Sequence, residues 1–242
     1  FYIIMRERYK MGKIQLFHGT DHIIEKPDFS LGKTNNDYGR GFYCTRELPM
    51  AMEWACKQNT DGFVNEYYLE QDSLQILNLL SPQYNILHWL ALLLKNRTFR
   101  LYNEIAIDAR NYIIENFFID LTDYDIVIGY RADDSYFSFA EAFVQNGLSL
   151  RSLNQALRLG KLGKQTALIS KKSFEHLTFK GSVPADKLIY YPKFITRDSK
   201  AREIYKKEIQ GRRSYRNDIF ILDILREEIK NDDARIQRIL SE

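Results

Sequence analysis

Three short segments hold residue types that do chemistry: Phe17-His18-Gly19-Thr20, Gly39-Arg40-Gly41-Phe42-Tyr43-Cys44-Thr45 and Ala51-Met52-Glu53-Trp54-Ala55. Read alone, each has a bland meaning. A histidine that closes an apolar strand is ordinarily a satisfied structural group, although its side chain is the one that titrates near neutrality. Gly39-Arg40-Gly41 reads as a tight turn, because it lacks the third glycine and the strand-to-helix setting of a dinucleotide fingerprint. The chain holds no complete P-loop either. Trp54 shares a helical face with Ala51 and Ala55, which is the pattern of a core residue. Cys44 has no His or Asp placed to activate it, so no thiol nucleophile is expected. Asp133 and Asp134 precede a helix, where they suit an N-cap, and follow a core strand, where loops position substrates.

The elements that must position these residues follow from hydropathy and turn chemistry. Ile14–Phe17 reads as a short strand, Asp21 to Tyr38 as a loop, and Gly39 to Thr45 as a turn into a strand. Leu48 to Lys57 has helical spacing. Phe63–Leu69 and Leu74–Leu80 read as strands about a turn at Gln71-Asp72-Ser73. Pro82 suits a first helical position before Tyr84–Lys95, and Arg100–Phe117 makes a second helix. Asp125–Tyr130 is a buried strand, Ala132–Asn146 a helix closed by Gly147, and Ser149 a cap for a helix to Leu159. Gln165–Ser170 and Leu188–Ile195 read as strands, and Asp198 onward as charged helix. Strands and helices do not alternate strictly, so the expected class is α+β, not a doubly wound sheet. Leu222, Leu225, Ile229, Ile236 and Ile239 stand near heptad spacing, broken at Asp232, and are expected to pack on the body. The expected division is a domain over 1–195 and a charged helical extension over 196–242.

Composition excludes several classes. With 242 residues, 45% hydrophobic and 28% charged, the chain is of globular type. Two cysteines and four histidines supply neither a disulfide framework nor a structural zinc site, so no metal is expected. The run Ile86 to Leu94 is half a membrane span and is interrupted by His88. The N-terminus lacks the order of a secretory leader. The expectation is a cytoplasmic protein with no membrane partner. Residues 161–216 carry 15 Lys+Arg against 5 Asp+Glu, a local charge of +10 in a chain of net +3. A basic half on an acidic body suits nucleic acid or an acidic protein, or simply a solvated surface.

Taken together, FHGT, DYGRGFYCT and AMEWA resemble the ADP-ribosyltransferases of the diphtheria-toxin and poly-ADP-ribose-polymerase type. The pattern is most similar to an uncharacterised bacterial domain-of-unknown-function family placed in that fold. Those enzymes end their first strand with His-Gly-Thr or His-Gly-Ser, continue with a Gly-x-Gly-x-Tyr turn, and set a second aromatic eleven residues on. Here that residue is Trp54, eleven after Tyr43. The likeness runs to about residue 180. It implies a split, antiparallel-rich β core with helical insertions, and NAD as substrate. Tyr43 and Trp54 would sandwich nicotinamide. The Gly19 backbone would bind its carboxamide, and His18 would hold a ribose hydroxyl. Thr20 and Arg40 are secondary candidates for the ribose or phosphates.

Family members carry Glu, Gln or Asp near the start of a late strand, bonded to the nicotinamide ribose and steadying charge as nicotinamide leaves. Glu66 lies too early in the chain, only 23 residues after Tyr43. Gln165 opens a late strand and is taken as the third residue, giving His18, Tyr43 and Gln165. Glutamine is neither a base nor an anion, so the expectation is transfer of one ADP-ribosyl unit to a protein or nucleic acid. The resemblance further implies a toxin of a toxin–antitoxin or phage-defence pair with a small antitoxin partner. Two rivals stand beside this: an NAD or ADP-ribose binding module with weak hydrolysis, and a nucleic-acid- or partner-binding protein on a borrowed fold.

Overall fold

The computed structural model describes residues 12–132, 134–158, 163–206 and 218–241. Its class is α+β, with two sheets. The first is antiparallel and holds β1 (Lys13–Thr20), β3 (Gly62–Glu70) and β7 (Leu177–Ala185) in the order β1-β3-β7. The second holds β2 (Phe42–Cys44), β4 (Ile76–Asn78), β5 (Ile126–Tyr130) and β6 (Lys164–Leu168) in the order β2-β6-β5-β4. Only β4 and β5 run parallel. An isolated bridge at Phe17–Thr45 joins the two sheets. There Phe17 N–H donates to Thr45 C=O at 2.8 Å and Thr45 N–H to Phe17 C=O at 2.9 Å.

Side-chain alternation assigns the faces. Leu16, Phe42, Cys44, Ile126 and Leu168 point to one face and form a core with Tyr67 and Leu69 of β3. Phe17, Tyr43, Val127 and Ala167 point to the other, which the helices cover. Helix α1 (Leu48–Ala55) lies on the first sheet and buries Ala51, Met52 and Ala55 against Phe17 and Val64. The second sheet is covered by α2 (Ile86–Asn96), α3 (Glu104–Phe117), α4 (Asp134–Val144) and α5 (Leu150–Arg158). Leu87, Trp89, Leu90, Leu92 and Leu93 of α2 are buried, which explains the apolar run of the sequence as a core helix.

Several sequence expectations are corrected. Leu188–Ile195 is not a strand: it belongs to the helix Lys187–Ile204, with Pro192 inside it. This helix follows a short α6 (Lys171–Glu175) and is α7. The β-branched and aromatic run suggested extension, but the Asp186 side chain accepts from Leu188 N–H at 2.7 Å and starts a helix. The strand in this region is β7, whose Pro184 sits near its end on the open side of the ladder with β3. Pro82 does not open α2; Asn85 caps it, with the reciprocal bond from its own N–H to His88 Nδ1. At the end of α4 the left-handed residue is Asn146 (φ +63°), while Gly147 N–H closes the turn on Ala142 C=O. Position 195/196 falls inside α7. Ile221 and Ile224 of α8 (Ile221–Arg226), Ile229, and Ile236 and Ile239 of α9 (Ala234–Ser241) are buried in the same core as α2–α5. Residues 159–162 and 207–217, which carry five of the fifteen cations of the basic stretch, lie outside the described residues, as does Asp133.

Candidate active site at the parting of the sheets

The two sheets diverge immediately beyond the Phe17–Thr45 bridge. In an antiparallel ladder, successive residues turn their N–H and C=O to opposite edges. Phe17 bonds Thr45, so His18 bonds β3 across from Asn65, and Gly19 turns back to the edge that faces β2. Tyr43 is two residues before Thr45, and its backbone faces β1 by the same rule. Gly19 and Tyr43 would be the next pair if the sheets continued. Instead the His18 ring spans the opening, with Nδ1 2.8 Å from Tyr43 C=O.

That bond sets the tautomer. A carbonyl only accepts, so Nδ1 carries the proton and Nε2 keeps its lone pair. Burial holds the His18 pKa below the usual histidine value; the Tyr43 carbonyl opposes this and nearby His22 adds to it. The ring is therefore neutral at pH 7 and presents an acceptor. It stacks on Phe42, with centroids 4.2 Å apart. Sequence reasoning had not singled out Phe42.

Gly19 is required by packing. A Cβ there would lie 2.1 Å from Ala51 C=O and 2.8 Å from Ala55 N, so any side chain forces α1 away. The bare Cα lets α1 rest directly on β1 and brings Trp54, on the same turn, to the parting. Trp54 is half-buried, and the Arg131 guanidinium lies over its ring at 4.4 Å. Tyr43 is held from two sides: its hydroxyl donates to Gly39 C=O at 2.7 Å and accepts from Tyr38 N–H at 3.0 Å. Its ring lies nearly parallel to that of Tyr38. Burial raises the Tyr43 hydroxyl pKa well above the usual tyrosine value, so it stays protonated. Each aromatic thus has one face engaged, Tyr43 by Tyr38 and Trp54 by Arg131.

Gln165 pairs with Gly129 across β5–β6 and lies on the same face as Tyr43 and Ala167. It is buried, and its amide nitrogen is committed. Nε2 donates to Asp37 Oδ2 at 2.8 Å and to Tyr130 C=O at 3.1 Å. Asp37 is the centre of this network. Its Oδ2 also accepts from Ala132 N–H at 2.8 Å, and its Oδ1 from Arg97 Nη1 at 3.0 Å. Tyr130 C=O further accepts from Tyr38 Oη and Trp89 Nε1. The sequence leaves Asp37 open between two roles, closing over NAD together with Tyr38 or only holding the turn, and nothing in it points to Arg97 or Tyr130. The adjoining glycine has a clear use: a Cβ at Gly129 would lie 2.3 Å from Tyr38 Oη.

Other candidates lie apart from this network. Arg40 is exposed and donates to Ser30 C=O, bracing the preceding loop. Thr20 donates weakly to Asp21, whose pKa is lowered to about 2 by hydrogen bonds from His22 and Lys57. Glu66 sits in the middle strand of the first sheet and accepts from Gln15. Cys44 is fully buried, which pushes its thiol pKa up and leaves it unreactive. Among the described residues, no group of three or more His, Cys, Asp and Glu side chains can hold a metal, and no helix is long and apolar enough to cross a membrane.

The committed amide sets a sign for one substitution. Gln165→Glu places a second carboxylate against Asp37 in a buried site, which raises the pKa of the new group. The unfolded chain ionises near the usual glutamate value of about 4.3 while the folded chain keeps its proton. Stability is then lost as pH rises above that value. The variant is expected to melt near wild type at pH 4 and to be about 2–3 kcal/mol less stable at pH 8. Thermal melts at the two pH values check this.

These features define a mixed α+β domain whose sheets diverge around a neutral histidine and a free strand edge. The family model for DUF3990, a protein family of unknown function, matches residues 14–179, and the chain belongs to that family. No curated protein and no solved structure matches it.

Proposed function

We propose that this protein is a mono-ADP-ribosyltransferase that consumes NAD. The observation that carries the reading is the Gly19 edge. Its N–H and C=O face the opening just beyond the bridge, with α1 and Trp54 above and the neutral His18 ring beside it. A carboxamide presents an N–H donor beside its C=O acceptor, the complement of a single strand residue's C=O and N–H. The outer face of Trp54 suits the nicotinamide ring. His18 Nε2 accepts from a ribose hydroxyl and fixes the sugar. Gln165, Tyr43 and Asp37 form the floor. The bond between the ribose carbon and the nicotinamide nitrogen breaks through an oxocarbenium-like state, nicotinamide leaves as a neutral molecule, and the acceptor's nucleophile takes the carbon. The resemblance in sequence to the ADP-ribosyltransferases supports the assignment, and with it a split-core fold of that type and a small antitoxin protein as partner.

Gln165 has only Oε1 left to accept, and no side chain on this floor is a free base. Single transfer to an acceptor that is already nucleophilic is favoured over chain growth. The same committed amide supports a second reading, NAD binding with little turnover.

The test is transfer of label from adenylate-labelled NAD into a cell lysate, with the products split by protease and by nuclease and free nicotinamide measured alongside. Label in one fraction with matching nicotinamide is expected. Nicotinamide release with no labelled macromolecule would reduce the protein to a hydrolase. Neither product, from protein that binds NAD, would leave the binding module.

A further inference from the structure

A cavity of about 340 Å³, lined in part by Tyr130, lies between the β4–α2 turn, α5 and α9. Among the described residues its wall holds five carboxamides, Gln83, Asn85, Asn154, Asn231 and Gln237, and no charged side chain. Some of this amide set is structural. Asn85 Oδ1 accepts from Leu87 N–H and its Nδ2 donates to Asn231 Oδ1, while Gln237 Nε2 donates to Asn231 C=O. These bonds tie the segment before α9 to the cap of α2. They leave, among the described residues, Asn231 Nδ2 as donor, Gln237 Oε1 as acceptor, and the whole amides of Gln83 and Asn154. The rest of the described wall is Ser81, the aromatic Tyr84, Trp89 and Tyr130, and Pro82 with aliphatic side chains.

We propose that this cavity is a binding site for an uncharged nucleobase, separate from the parting of the sheets. A base has two apolar faces and an edge that mixes donors and acceptors. Aromatic and aliphatic side chains beside carboxamides meet both needs, since a side-chain amide pairs with a base edge through two bonds. The volume suits a small ligand. The described wall offers carboxamides and aromatic rings rather than cations, which suits the base itself more than a phosphate. Tyr130 lines the cavity and its carbonyl accepts from Gln165, so one residue links the cavity to the candidate active site.

Ligand-observed NMR with adenosine and guanosine tests this on the full chain, with ribose as control. At least one nucleoside is expected to bind saturably, at least tenfold more weakly to Asn154→Leu and Gln83→Ala, and unchanged to His18→Asn. Gln83 is exposed, so its truncation leaves the fold intact if Asn154→Leu does not. Runs with NAD and with a short single-stranded RNA, on wild type and Gln83→Ala, identify whether the dinucleotide's own adenine or a polymer base is the source. Binding equal to that of ribose, binding untouched by both cavity variants, or binding lost in His18→Asn would each overturn the assignment.

Discussion

His18→Asn is expected to lower ADP-ribosyl transfer by about 100-fold or more while the protein still folds, because a misplaced ribose costs at least that much. The asparagine Nδ2 takes the place of imidazole Nδ1 and keeps the bond to Tyr43 C=O, but nothing replaces the Nε2 acceptor. The bond to Tyr43 bridges the parting, so His18→Ala loses more: a buried carbonyl is left without its partner and Phe42 without its stacked ring. That costs about 1–3 kcal/mol. Comparing the two variants separates the chemical role from the structural one. Equal transfer by wild type and His18→Asn would remove His18 from the reaction. The pH dependence has a definite direction. With the pKa of His18 held down by burial, binding of NAD is expected to be flat from pH 8 to below pH 6.5. It then falls on further acidification, as Nε2 gains a proton and stops accepting.

How much of this was legible in the sequence depends on whether the cause was local. The first strand, the Gly39 turn and the α1 helix are set by neighbouring residues, and hydropathy and turn chemistry locate all three, although the strand runs on from Phe17 to Thr20 and the helix stops at Ala55 rather than Lys57. Leu188–Ile195 misled for a related reason: its composition is strand-like, while the cap that makes it a helix is a single side-chain bond. The parting of the sheets was not readable at all. It follows from where β1 meets β2 and where that ladder stops, which depends on residues 28 apart in sequence. The Gly19 spacing pointed to close approach, but the partner met there first is the backbone of α1. Asp37 was only partly visible. Its place before the glycine turn suggests either holding that turn or closing over NAD with Tyr38, but its partners come from just past α2, just past β5 and from β6, which no local pattern shows.

Asp37→Ala is therefore expected to have the largest effect on stability, about 3–5 kcal/mol, as for other buried charge partners that are removed singly. In a chain of this size that lowers the melting temperature by about 10 °C. Three donors lose their acceptor together: Arg97, Ala132 N–H and one hydrogen of the Gln165 amide. Asp37→Asn divides the loss. Both Ala132 and Gln165 bond the same oxygen, Oδ2, so an amide that keeps its oxygen there retains both bonds. Its nitrogen then faces Arg97, whose side chain is about one-third exposed and can turn to water. The asparagine variant should lose only about 1–2 kcal/mol and keep Gln165 in place, with transfer reduced far less than in the alanine variant. If the Arg97 ion pair were the main contribution of Asp37, the two variants would melt together. A clear gap between them, measured by thermal melts and by transfer at pH 7, places the weight on Oδ2. It makes the loop aspartate the residue that positions the floor of the site.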